Sequence, residues 1–355
     1  MSNLITFDNF VSLAEAKELI QHNITTRFHL VGEPGIGKTS LVKALREALG
    51  YASSIMSCPE MDLGDIAMPV IDHETGTTKY YPNARFLFHL GKPVIICLDE
   101  YTKGVQPIQN MLHPLLDTFE PRLGNIPVPE GSIIFTTGNL ESDGVGDSMK
   151  AHTRMRVSVL PVSKPNDTQW KAWGAENGIH PVMLAWADRH PHAFASYTDE
   201  GQNGNELIFN PLHPRDGYFT PRTGELASNI IKNKDKVSFH ALTVALQGVV
   251  GKSAAESICA FVRHQDSLPS WKDIINDPMG TKIPTDPGAL AVLTFGGVER
   301  VQDGKELESI LKYLERTGEW DALFCIAMAG HKDKHDIAFT SKKFAEWVAL
   351  NEDLL

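Results

Sequence analysis

Apolar and polar positions follow two different periods along the chain, and the change of period divides it. Up to about residue 164 the apolar residues come mostly in short unbroken runs bounded by polar turns. Phe28–Val31, Pro93–Leu98 and Ser132–Phe135 are of this kind, and runs of that length predict strands buried on both faces of a parallel sheet. Ala52–Met56 predicts a shorter strand, and Arg156–Val162 a fifth with alternating polarity. Ser12-Leu13-Ala14-Glu15 is a capping box that opens a helix through about Gln21. Ser40–Leu45 reads as a helix start, and Leu87–Gly91 as the end of another helix with Gly91 as its C′ residue. Gln106–Glu120 places Ile108, Met111, Leu112 and Leu115 at helical spacing. Two stretches read as hairpins: Met68–Pro82 around a Glu-Thr-Gly turn, and Arg122–Pro129 around Gly124-Asn125.

After Lys164-Pro165 strand-like runs nearly vanish. Trp170, Trp173, Met183, Leu184 and Trp186 recur at near-helical spacing and read as core. Thr220 and Pro221 form a cap and first turn, and Leu226 and Ile230 continue the apolar face. Leu307, Ile310, Leu311 and Leu314 repeat with helical period, as do Phe344, Trp347 and Val348. The pattern predicts an α/β domain over 1–164 with insertions at about 68–82 and 120–131, a helical domain over 165–268 and a helical extension over 269–355.

Composition narrows the picture only in part. A chain of 355 residues holds two or three domains. The balance of 44 acidic against 33 basic residues, a net charge of -11, disfavours broad non-specific binding to nucleic acid but leaves room for a local basic channel. Cys58, Cys97, Cys259 and Cys325 are scattered and read as small buried residues in a reducing compartment. The start lacks the basic and apolar stretches of a signal peptide, and no apolar run approaches bilayer length, so a soluble cytoplasmic protein is expected.

Chemistry concentrates where the apolar runs end. Gly32-Glu33-Pro34-Gly35-Ile36-Gly37-Lys38-Thr39-Ser40 follows the first strand and fits G-x-x-x-x-G-K-S/T, the phosphate-binding P-loop. Its glycines let the backbone approach a phosphate closely, and its N–H groups cradle anionic oxygens. Lys38 supplies a positive charge to the β- and γ-phosphates, and the Thr39 hydroxyl can ligate Mg²⁺. The run Pro93–Leu98 ends in Asp99 and Glu100. At the carboxyl end of a central strand, Asp99 would hold Mg²⁺ and Glu100 would orient or deprotonate the attacking water. Asn139 ends the next buried strand on the same sheet edge, where it can bond the γ-phosphate or the water.

The order of P-loop, Asp-Glu strand, Asn-tipped strand, arginine and helical segment resembles an AAA+ ATPase, most nearly its MoxR-like and dynein-related, or cobaltochelatase-like, members. The two hairpins carry the narrower resemblance, which spans about residues 1–265. It implies an α/β P-loop NTPase core with a central parallel sheet, then an all-α lid and a helical C-terminal extension. It also implies roles for single residues. Lys38 and Thr39 match Walker A, Asp99 and Glu100 match Walker B, and Asn139 matches sensor 1. Arg154 resembles the arginine finger, with Arg156 as its competitor, and Arg222 resembles the sensor 2 arginine, with Arg215 as a weaker one. ATP and Mg²⁺ are the implied cofactors. The implied assembly is a homohexameric ring in a bacterial or phage-infected cytoplasm, acting on a protein client, in this subfamily often one with a von Willebrand A-type domain. A nucleic-acid translocase, with Lys79 and Arg122 on the hairpins, is the alternative, and a ring that only switches shape with nucleotide is a third reading.

Overall fold

The computed structural model describes residues 9–140, 149–213, 217–266 and 268–351. The chain divides after Lys164 into two compact units.

The strands of the first unit are β1 (Phe28–Val31), β2 (Ala52–Ser57), β3 (Ala67–Asp72), β4 (Thr77–Pro82), β5 (Val94–Asp99), β6 (Arg122–Leu123), β7 (Ile126–Pro127), β8 (Ile133–Gly138) and β9 (Ser158–Pro161). Five of them form one parallel sheet in the order β2-β5-β8-β1-β9. The helices are α1 (Leu13–His22), α2 (Leu41–Leu49), α3 (Gln106–Leu112) and the short α4 (Ala151–Arg154). β5 and β8 are buried on both faces, as their unbroken apolar runs require. Ile95, Cys97, Ile133 and Phe135 pack with Ala16, Ile20 and Leu45 of α1 and α2. Their neighbours Val94, Ile96, Leu98 and Ile134 face the opposite core with Ile108 and Leu112 of α3. Alternation along each strand thus feeds two cores, one on each side.

Two expected helices are altered, each for a local reason. The stretch Gln106–Glu120 is α-helical only to Leu112 and continues as a 3₁₀ turn over His113–Leu116. Pro114 has no N–H to donate, and its ring would clash with the Asn110 carbonyl in a continued α-helix. Leu87–Gly91 does not end an α-helix but belongs to a pair of 3₁₀ turns, Ala84–Phe86 and Phe88–Leu90, joined through Leu87 at φ 62°. Phe86 and Phe88 are both buried in one cluster. Residues two apart on a helix diverge, so the left-handed kink is what turns both rings inward.

Both hairpins are present. The second is short, and it clasps the first: Asn125 N–H donates to the Tyr80 carbonyl at 2.9 Å, and Tyr80 N–H to Asn125 Oδ1 at 2.6 Å. Gly124 has φ 57°, and a Cβ there would lie 2.4 Å from the Tyr80 oxygen, so only glycine fits the turn.

The second unit is helical: α5 (Asp167–Glu176), α6 (Pro181–Arg189), α7 (Pro221–Ile231), α8 (Phe239–Val250), α9 (Lys252–Asp266), α10 (Trp271–Asn276), α11 (Pro287–Arg300), α12 (Gly304–Leu314), α13 (Trp320–Ala329), α14 (His335–Ala338) and α15 (Lys342–Leu350). One apolar core runs from Trp170 to Phe344. The segments expected as lid and as extension therefore share it. α6 and α11 are buried along most of their length and pack on each other. Thr220 caps α7 and Pro221 occupies its first turn. Among the described residues no helix is long and apolar enough to cross a membrane.

Candidate active site

The C-terminal ends of β1, β5 and β8 lie side by side in the sheet, and the residues they carry converge there. The loop after β1 needs glycine at two kinds of position. A Cβ on Gly32 would lie 2.6 Å from the Val162 carbonyl and 2.8 Å from Ile36. Gly35 and Gly37 have φ of 76° and 107°, which aims successive backbone N–H groups into a concave turn. A 3₁₀ turn, Lys38–Ser40, then leads into α2. Ser40 closes the turn by donating its hydroxyl to the Gly37 carbonyl at 2.6 Å.

Lys38 is buried, and its ammonium donates to the carbonyls of Gly32 (2.7 Å) and Glu33 (2.8 Å) and to Asn139 Oδ1 at 3.3 Å. Walker A lysine and strand-tip asparagine, 101 residues apart in sequence, therefore touch. The Thr39 hydroxyl donates to Asp99 Oδ1 at 2.9 Å. A hydroxyl and a carboxylate in contact at the mouth of an anion-binding loop are the hard oxygen donors that Mg²⁺ takes, so the residues present fit that cation.

Glu100 has the left-handed backbone (φ 51°, ψ 42°), one of two non-glycine residues with positive φ among those described. An L-residue in that region costs about 1–2 kcal/mol. Two contacts hold it: its N–H donates to Thr137 Oγ1 at 3.0 Å, and Lys103 Nζ reaches its Oε1 at 2.6 Å. Behind this edge His29 is buried in β1, with its Nδ1 2.6 Å from Thr136 Oγ1 and its ring against Gly138, where a Cβ would meet it at 2.9 Å. Burial first, then the charges of Lys38 and Arg154, push the His29 pKa down to about 3, so the imidazole is neutral. Burial, with Asp99 and Glu100 nearby, pushes the Cys58 thiol up to about 12, so it stays protonated.

The structure thus brings together the loop from Gly32 to Ser40, Asp99, Glu100 and Asn139. Arg154 is exposed at the end of α4, and its guanidinium makes no hydrogen bond among the described residues, whereas Arg156 Nη1 donates back to the His152 carbonyl at 2.9 Å. Arg222 is exposed in the first turn of α7, in the second unit, and Arg215 lies outside the described residues. Thr137, Lys103 and His29 were missed by the sequence reading. The signal available for Thr137 was a second hydroxyl residue interrupting the apolar run of β8 just before its polar tip.

Residues 27–157 match the family model of the AAA domain, dynein-related subfamily. This segment is an AAA domain. Its fold is the AAA+ P-loop NTPase fold, and a domain of this class with an intact loop and acid pair is an ATPase. No curated protein matches the chain. Among solved structures, the branch migration motor RuvB of Thermotoga maritima is similar at 14% identity over 86% of this chain and 87% of that one, with a TM-score of 0.38. A point mutant of the same motor matches at 14% over 86% of both chains, with a TM-score of 0.37. An ATPase candidate from Cytophaga hutchinsonii matches at 14%, over 46% of this chain and half (50%) of that one, with a TM-score of 0.36. Likenesses this distant carry nothing about what the AAA domain acts on.

Proposed function

We propose that the chain is a ring-forming, Mg²⁺-dependent ATPase, most simply a homohexamer, whose hydrolysis remodels a protein partner. The loop Gly32–Ser40 binds the phosphates, and Lys38 exchanges its carbonyl partners for phosphate oxygens. Thr39 and Asp99 hold the cation, which neutralises charge developing on the phosphates when bound. Glu100 takes a proton from the attacking water, and Asn139 reads the γ-phosphate; for Arg222 the family resemblance suggests the sensor 2 role. Arg154 serves a neighbour's site. Among the described residues its guanidinium makes no hydrogen bond, which favours it over Arg156, whose guanidinium is tied to its own segment.

The observation that carries a protein client is the β3–β4 hairpin. Met68 and Ile71 are 56% and 63% exposed, with Val70, Tyr80 and Tyr81 also outward. Its basic residue Lys79 is neutralised by Asp72 at 2.7 Å, and Arg122 on the second hairpin stands 3.7 Å from Glu120. An apolar hairpin with paired charges suits a polypeptide and offers phosphate backbones little. The von Willebrand A-type partner is the client class that the family resemblance suggests.

Steady-state ATP turnover across protein concentration, with and without single- and double-stranded DNA, tests this. Turnover per subunit should rise with concentration and ignore DNA. Arg154→Ala should lower it by about 10³–10⁵ at full assembly while ATP binding persists. Marked stimulation by DNA would put the nucleic-acid motor in its place, and turnover independent of concentration would remove the trans finger.

A further inference from the structure

We propose that Thr137 is a positioning residue that fixes both acids at the tip of β5 and, through Asp99, sets the affinity of the site for its divalent cation. This rests on the roles given above to Asp99 and Glu100. Thr137 sits on β8 and is buried (1% exposed). A hydroxyl has one proton to give and lone pairs to receive, and here both kinds are used on the neighbouring strand. Its proton goes to Asp99 Oδ1 at 2.5 Å, and its lone pair accepts the Glu100 N–H at 3.0 Å.

The position of these bonds gives them weight. The paired register of β5 and β8 ends with Leu98 opposite Thr136. One residue further on, the side chain of Thr137 joins the two strands where the main-chain ladder has stopped. Asp99 Oδ1 is thereby gripped by two hydroxyls, those of Thr137 and Thr39. Among the described residues no hydrogen bond is made to Oδ2, the oxygen left for the cation or its bound water. The same hydroxyl holds Glu100 in its left-handed backbone conformation, and hence the direction in which its side chain leaves the strand. Groups that orient a metal ligand typically change metal affinity or activity by about 10–100-fold when removed.

The test uses the full chain with Thr137→Val, which keeps the branched shape and removes the hydroxyl, and Thr137→Ser, which keeps the hydroxyl. Binding of a fluorescent ATP analogue is measured in EDTA and against added Mg²⁺, and turnover is followed over the same Mg²⁺ range. In Thr137→Val, the Mg²⁺ needed for half-maximal effect should rise by about 10-fold or more, affinity in EDTA should stay as in the parent, and kcat should fall; Thr137→Ser should restore all three. Thr137→Ala is read in the same way if the valine variant does not fold. A wild-type Mg²⁺ requirement in a folded variant without the hydroxyl would overturn the proposal, whether or not thermal stability dropped. Equal loss of binding in EDTA would overturn it too, since metal-free binding does not pass through Asp99. Glu100→Gln is run alongside: if it hydrolyses ATP like the parent, the roles of the acids fail, whereas a dead Glu100→Gln beside an unaltered Thr137→Val sinks the Thr137 proposal alone.

Discussion

The two units bury polar side chains in opposite ways. In the first, His29, Lys38, Thr136 and Thr137 are buried close to one edge of the sheet and bond to one another's strands or to the loop. In the second, buried hydroxyls mostly serve helix ends. Thr220 and Ser341 cap α7 and α15, and Ser228 accepts the N–H of His180, itself the cap of α6. Burying a polar group without a partner is costly, so most find one, Thr294 Oγ1 in α11 being an exception. Local satisfaction at helix ends makes a stable bundle. Convergence of buried polar groups from three strands on one edge makes a site. Chemistry is therefore to be sought where polar partners come from distant parts of the chain.

Substitutions can break that contrast. The largest loss of stability is expected in the helical unit from Phe324→Ala, since Phe324 is fully buried in α13 and packs 3.1 Å from where a Cβ on Gly297 would stand. Truncation should cost about 3–5 kcal/mol in denaturant unfolding of that unit. ATP binding by the AAA domain should persist; its loss would mean that the two kinds of burial are not separable.

A smaller effect is expected from pH in the first unit. His29 is held at about 3 in the folded chain against its ordinary 6.5. As pH falls through 6.5 the unfolded chain takes up a proton that the folded chain refuses until about 3. The stability is therefore present in full above 6.5 and is lost progressively below it, by about 2 kcal/mol at pH 5. Urea titrations of the parent and His29→Gln at pH 7 and pH 5 isolate this contribution as the difference in slope between them. Equal slopes would show that the imidazole is not buried neutral, and that the polar cluster behind the loop is looser than described.

The site was legible in the sequence where its chemistry is contiguous. Gly32 to Ser40 form one loop, Asp99 and Glu100 adjoin, and Asn139 ends a strand, so spacing alone announced them. The fold was legible where an element is set by its own residues, as with the capping box at Ser12 or the Gly124-Asn125 turn. What escaped depends on partners far off in the chain. Thr137 matters through Asp99, 38 residues earlier, and His29 through Thr136, 107 residues later. Helix ends escaped when a single residue overrode a good period, as Pro114 did, or when two aromatic side chains both demanded the core, as Phe86 and Phe88 did.

Everything proposed for the edge formed by β1, β5 and β8 depends on its hydrolysing ATP with Glu100 as the base. ATP turnover of Glu100→Gln, beside its equilibrium binding of ATP and Mg²⁺, decides this. Turnover should fall by about 10²–10⁴ while binding stays at the parent level. Parental turnover in a variant that still binds would contradict that role and send the search for the base elsewhere in the AAA domain.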